Sequence, residues 1–140
     1  MIDAETRCSI EALIVEYAWL LDHSAADRLP SLFTESAVLE LPKGRYAGAQ
    51  AIAQFGRERV KATRVTRHLC SNVRLVRLGS DKVQGSVAFT VYRHDAAGPA
   101  EPTVAAVGEW QDVYVKHNDA RWRFAERRVV VVFETEAHRQ

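Results

Sequence analysis

From Ala4 to Leu21 apolar residues return at helical spacing, and Ile10, Leu13, Ile14, Tyr17, Leu20 and Leu21 share one face. That spacing predicts an amphipathic helix. With Ile14 set at zero and about 100° of rotation per residue, Asp22 projects near 80°, inside the apolar arc that also holds Ala18 and Leu21. His23 projects to about 180°, on the side of Glu5 and Glu16, where water is expected. A short helical turn follows around Asp27 to Phe33, with Pro30 tolerable only in a first turn. Ala37 to Leu41 alternates as a short strand, Pro42-Lys43-Gly44 reads as a turn, and Arg45-Tyr46-Ala47 as the returning strand. Gly48 to about Ala62 carries Ile52, Phe55 and Val60 at helical spacing.

Beyond Val65 the period changes from helix to strand. Val65–Val76, Lys82–His94, Val104–Lys116 and Arg121–Glu134 alternate, separated by Gly79-Ser80-Asp81, by Ala96-Ala97-Gly98-Pro99 and by His117-Asn118-Asp119. Four long strands with short links predict an antiparallel meander. Helices first and a long sheet afterwards define an α+β domain whose sheet buries one face against the helices. A strongly curved sheet wrapped on a long helix leaves a conical pocket. The run Val129-Val130-Val131-Val132-Phe133 is apolar on both faces, which one solvated face would not need. A homodimer packed through the outer sheet face is the expectation.

At 140 residues the chain suits a single domain spanning residues 1–140, large enough to bury about two-thirds of its unfolded surface and to enclose a small-molecule cavity. The formal net charge of +1, from 19 basic and 18 acidic side chains, provides no field to gather nucleic acid or an anionic membrane. Cys8 and Cys70 lack disulfide or zinc spacing, so reduced thiols in the cytoplasm are expected. The first residues lack a basic region followed by an apolar stretch, and no apolar run approaches about 18 residues, so neither export nor a membrane span is expected. No metal-ligand spacing, glycine-rich phosphate loop, nucleophile elbow or dinucleotide fingerprint occurs, and cofactor-free chemistry is implied.

The candidate chemistry centres on His68, in the run Thr66-Arg67-His68-Leu69-Cys70-Ser71-Asn72-Val73-Arg74. In a regular strand Thr66, His68, Cys70, Asn72 and Arg74 share one face, and Val65, Leu69, Val73 and Leu75 the other. The polar face either meets water or lines a cavity in which Asn72 orients a ligand. Asp22 is the candidate partner of His68. A carboxylate that accepts one imidazole N–H fixes the tautomer and raises the basicity of the other nitrogen. Tyr17 is the candidate donor to a carbonyl oxygen or leaving group, although its azimuth lies about 140° from that of Asp22, so the pocket must wrap the helix. Asp112, aligned with Trp110 and Tyr114, is a candidate second acid or base, against the alternative of a solvated strand charge. Trp19, Tyr46 and Tyr92 are candidates for the substrate wall. Cys70 is read as lining, and His94, His117 and His138 as solvent-exposed.

The order helix, short hairpin, helix and four long strands resembles the SnoaL-like branch of the nuclear transport factor 2-like superfamily. The likeness rests on Tyr17 to Asp22 with Leu32-Phe33-Thr34-Glu35, on Arg67 to Asn72, and on Trp122 to Arg128. It implies a cone-shaped α+β barrel with N-terminal helices on a curved, mainly antiparallel sheet. Scytalone dehydratase, bile-acid 7α-dehydratase and lindane dehydrochlorinase pair a helix-one aspartate with a strand histidine for eliminations, and Asp22 and His68 match those positions. The resemblance also implies an arginine from the last strand near the ligand. Arg127 and Arg128 face opposite ways in a regular strand, Arg127 is preferred, and a bulge would reverse the choice.

These readings converge on a cofactor-independent lyase that takes a carbon-bound proton from a small hydrophobic cyclic or polyketide-like substrate. An isomerase or polyketide cyclase with the same pocket is the second reading. A noncatalytic ligand-binding protein, similar to a dioxygenase small subunit, is the third.

Overall fold

The first helix, α1 (Ala4–Asp22), begins where Asp3 accepts hydrogen bonds from the Thr6 backbone N–H at 2.8 Å and the Thr6 hydroxyl at 3.0 Å. This side-chain cap satisfies donors that the first helical turn leaves free. The helix ends at Asp22 with His23 as its cap, and Ser24, whose φ of 57° lies in the left-handed region, turns the chain away. The computed structural model describes residues 1–95 and 97–139; in the link predicted at Ala96-Ala97-Gly98-Pro99, Ala96 lies outside the described residues. After α1 come a 3-10 helix (Ala26–Leu32), β1 (Phe33–Leu41), β2 (Gly44–Ala47), α2 (Ala49–Lys61), β3 (Val65–Gly79), β4 (Lys82–His94), β5 (Val104–Lys116), β6 (Trp122–Glu134) and the short α3 (Glu136–Arg139). The predicted elements stand close to these bounds, except that α3 was not predicted, β1 begins at Phe33 instead of Ala37, and β3 continues past Val76.

The six strands form one curved, open sheet in the order β2-β1-β6-β5-β4-β3. The expected cone is therefore unclosed, with β2 and β3 as its edges. The meander from β3 to β6 is antiparallel, and β1 joins β6 in parallel. The concave face packs on α1, where Ile10, Ile14, Tyr17 and Leu20 meet Val83, Val87, Trp110 and Phe124 in a single buried cluster. Gly56 of α2 lets that helix approach the 3-10 helix, because a Cβ there would stand 2.1 Å from the Ala26 carbonyl oxygen. Among the described residues no helix is long and apolar enough to cross a membrane.

Two bulges decide which side chains face inward. In β3 the pairing with β4 shifts between Ser71 and Arg74, and Asn72 takes a φ of 52°. Asn tolerates this left-handed conformation better than a branched residue does. Thr66, His68 and Cys70 therefore point inward before the bulge and Val73 and Leu75 after it. The single regular face expected for this strand is broken, and Asn72 itself is exposed. In β6 the pairing with β5 shifts between Val113 and Tyr114, so Phe124 and Arg127 are both buried although three residues apart. Arg128 points outward, to Glu40 at 3.3 Å.

Candidate active site

Asp22 ends α1 with its side chain turned toward β3. Its carboxylate receives three hydrogen bonds: the His68 backbone N–H reaches Oδ2 at 2.8 Å, the Thr66 hydroxyl reaches Oδ1 at 2.9 Å, and His68 Nδ1 lies 2.6 Å from Oδ1. The His68 and Asp22 side chains are only 14% and 6% exposed. Burial by itself raises the Asp22 pKa, but the hydrogen bonds and charge of His68, with the Thr66 hydroxyl, outweigh it and hold the carboxyl below its ordinary range. An ionised Asp22 accepts, so Nδ1 carries the proton and Nε2 keeps its lone pair in the neutral ring. Arg59 of α2 extends the chain by donating to the Thr66 hydroxyl at 3.0 Å.

His68 lines a cavity of 280 Å³ between α1, α2 and the concave sheet, near the lower end of the usual small-molecule range of about 300–1,000 Å³. Trp110, Phe89, Val91, Val129 and Val131 form its apolar wall. The His68 ring stands 5.9 Å from that of Trp110, and Tyr17 meets Trp110 edge-on at 5.4 Å. Tyr17 and His68 thus flank one indole, which resolves the azimuth problem: the cavity reaches around the end of α1, and Asp22 stands behind His68. Burial pushes the Tyr17 hydroxyl up to about 12, with the Arg127 charge opposing that rise. The hydroxyl remains a neutral donor at ordinary pH. Cys70 is pushed up to about 11 by burial, so its thiol stays protonated and poorly nucleophilic.

Beneath the cavity lies a second polar cluster. Arg127 donates to Asp112 through Nε at 2.8 Å and Nη2 at 2.7 Å, and the Tyr114 hydroxyl also donates to Asp112. Both charged side chains have 0% exposure. Burial works against the Arg127 charge, but the Asp112 carboxylate outweighs it and raises the guanidinium pKa. The guanidinium is also held over the rings of Tyr17, Trp110 and Phe124 at 4.3, 4.1 and 4.2 Å.

The candidate wall residues divide. Tyr46 lines the cavity beside Phe55. Trp19 does not: it is 47% exposed and stacks on His23 at 4.3 Å, because its position on α1 falls outside the buried arc. Asn72 is turned out by the bulge, and Tyr92 pairs with Arg67 on the outer face while Val91 and His68 point inward. Asp112 and Arg127 face inward but are sealed below the cavity floor by Tyr17 and Trp110 instead of lining it. His138, expected in solvent, is half-buried at the cavity mouth because α3 folds back over it.

Sequence reasoning passed over Thr66, Arg59, Arg64 and Lys43. Thr66 shares the face of His68, and Arg59 falls seven residues after the buried Ile52, only about 20° away on the same helix face. Those were the available signals. Among the described residues, no group of three or more His, Cys, Asp and Glu side chains is placed to hold a metal ion.

A long helix lying in a curved, open sheet, with a histidine and a carboxylate at the edge of the enclosed cavity, has the architecture of the nuclear transport factor 2-like fold. The profile of the SnoaL-like domain matches residues 3–128, and the chain belongs to that family. Solved structures share the fold. A scytalone dehydratase-like protein of Novosphingobium aromaticivorans DSM 12444 aligns with a TM-score of 0.80 at 19% identity, over 93% of this chain and 86% of its own. The protein LinA aligns at 0.77 and 18% identity, over 94% and 88%. The beta subunit of an aromatic-ring-hydroxylating dioxygenase, also from Novosphingobium aromaticivorans DSM 12444, aligns at 0.78 and 16%, over 91% and 90%. At these identities the likeness establishes the fold, and the names of the three proteins diverge in activity. No curated protein matches the chain at significant similarity.

Proposed function

We propose that this protein is a cofactor-independent lyase in which His68, oriented by Asp22, removes a carbon-bound proton next to a carbonyl or aromatic system while a leaving group departs from the neighbouring carbon. The observation that carries the reading is the 2.6 Å contact between Asp22 Oδ1 and His68 Nδ1, on a histidine that lines the cavity beside the apolar wall of Trp110 and Phe89. Nε2 takes the proton, the C–H electron pair becomes the new double bond, and the leaving group carries away its bonding pair. In this reading the Tyr17 hydroxyl, a neutral donor, holds the carbonyl oxygen or leaving group as negative charge develops. Asp22 stabilises the imidazolium without taking up the proton itself.

The test is turnover on a panel of β-hydroxy ketones and β-hydroxy acids, read by product mass. The expected product has lost water, and His68→Ala is expected to slow its formation by about 10²–10⁴-fold. Full activity in that variant would overturn the reading. An isomerase or cyclase is the second reading, favoured by the neutral hydroxyl of Tyr17 at the cavity, which suits an enolate oxygen equally well; its product keeps the mass of the substrate. The free thiols of Cys8 and Cys70 suit a reducing, cytoplasmic compartment. Val132 and Phe133, 60% and 68% exposed, together with Leu69 at 57%, support packing of two copies through the outer sheet face. A dimer mass in light scattering is expected, and a monomer at micromolar concentration would remove that part of the proposal.

A further inference from the structure

The apolar wall accounts for only part of the cavity. Lys43, Arg59, Arg64 and Arg93 also line it, from the β1–β2 turn, α2, the α2–β3 link and β4; Arg59 reaches the Asp22–His68 pair through Thr66, while Lys43, Arg64 and Arg93 lie toward His138 of α3. Among the described residues the only carboxylate lining the cavity is Glu134, which already pairs with Arg139 at 3.2 Å. Asp95 meets Arg93 from the solvent side through two long contacts of 3.3 and 3.4 Å, its own side chain 59% exposed against 16% for Arg93, and its charge also favours that of Arg64, so one carboxylate serves two guanidiniums. Asp22 lies close enough to favour the charge of Arg59 but is already occupied by His68 and Thr66.

Arg59 and Arg64 form no ion pair among the described residues. Arg59 donates to the Thr66 hydroxyl and to the Arg64 carbonyl oxygen at 3.4 Å. Arg64 Nε is buried with no hydrogen-bond partner. Burial and the charges of neighbouring arginines depress the pKa of both guanidiniums. Crowded guanidiniums with an unfilled donor are costly unless an anion meets them, and a planar oxyanion fits their fork of N–H groups.

We propose that this mouth is the binding site for an anionic oxygen group on the substrate, a carboxylate or a phosphate ester, anchored between Arg64 and Arg93. The inference rests on the elimination reading for the reacting end and specifies the opposite end of the molecule. Arg93 pairs across the sheet with Thr66, and Val91 with His68, so the anchor lies one inward position, about 7 Å, along the strands from the base. The substrate is then an amphiphile: an apolar, carbonyl-bearing body against Trp110 and Phe89, with its anion toward the mouth. The same charges select against neutral molecules of equal size, because only an anion repays desolvation of the guanidiniums.

Calorimetric titration of the intact protein with 1-naphthoate, 1-naphthyl phosphate and the neutral 1-naphthamide tests this. At least one anion is expected to bind about tenfold or more tightly than the amide, and the stronger of the two identifies the preferred oxyanion. In Arg64→Gln and Arg93→Gln the preference should fall toward unity, while Arg64→Lys, which keeps the charge, should retain part of it. His68→Gln should leave the preference intact, which separates this site from the proton-transfer chemistry. Equal or tighter binding of the amide, an anion preference that survives both glutamine variants, or no binding of either anion would overturn the inference without touching the role of His68.

Discussion

Asp22 and Asp112 are both inward-facing carboxylates that accept three side-chain or backbone donors, yet they are built for opposite ends. Asp112 is clamped by two nitrogens of Arg127 and by Tyr114, with no exposure on either charged side chain. A guanidinium does not release its proton in a protein, so that pair is fixed in one state and holds the floor under Tyr17 and Trp110. Asp22 is met instead by the imidazole of His68, the one side chain whose ordinary pKa allows exchange of a proton near neutrality. The same anion with a different partner gives a rigid support in one place and, in the proposed reaction, the orienting group of a base in the other. Access completes the contrast, since His68 reaches the cavity and Arg127 does not.

The contrast can be broken from the floor upward. Asp112→Ala strands a fully buried guanidinium and is expected to cost about 3–5 kcal/mol of stability, read by urea unfolding. The double variant Asp112→Leu, Arg127→Met should recover most of that loss, because it removes both charges and leaves apolar volume. At the other carboxylate the order of effects reverses. Asp22→Asn should lower turnover about 10²-fold or more, by releasing the His68 tautomer, while costing stability less than the floor variant does. Comparison of the two variants in both assays checks the division of labour; equal stability losses would contradict it.

A smaller effect separates the two by pH. The Asp22 pKa in the folded protein lies below its ordinary value, so the unfolded chain binds the proton more readily than the folded one. Its contribution to stability is fully present above about pH 4 and is lost as pH falls through the depressed folded value. Unfolding free energy measured from pH 5 downward should therefore decline less steeply in Asp22→Asn than in the parent.

Periodicity carried most of the fold. The long helix and the four long strands are legible because their apolar positions repeat without interruption, and Asp22 could be placed inside the apolar arc by its angle alone. What alternation cannot show is a residue that breaks it. The bulge at Asn72 reverses the facing of the rest of β3, and the shift before Arg127 brings that arginine inward on the same face as Phe124. An asparagine amid β-branched and charged neighbours was the local sign of the first; the second has no comparable sign. Trp19 was misplaced for a different reason: indole area suggests burial, whereas the helix angle pointed to solvent. The mouth cluster was invisible because Lys43, Arg59, Arg64, Arg93 and His138 come from separate elements, and only the curvature of the sheet and the fold-back of α3 assemble them.

The central claim is that Asp22 holds His68 as a neutral base with its free nitrogen toward the cavity. The direct measurement is the pair of imidazole 15N chemical shifts of His68 in its neutral form, in the parent and in Asp22→Asn. The account predicts a protonated Nδ1 and an unprotonated Nε2 in the parent, and loss of that fixed tautomer when the carboxylate is replaced. A proton on Nε2, or a tautomer mixture indifferent to the substitution, would contradict it.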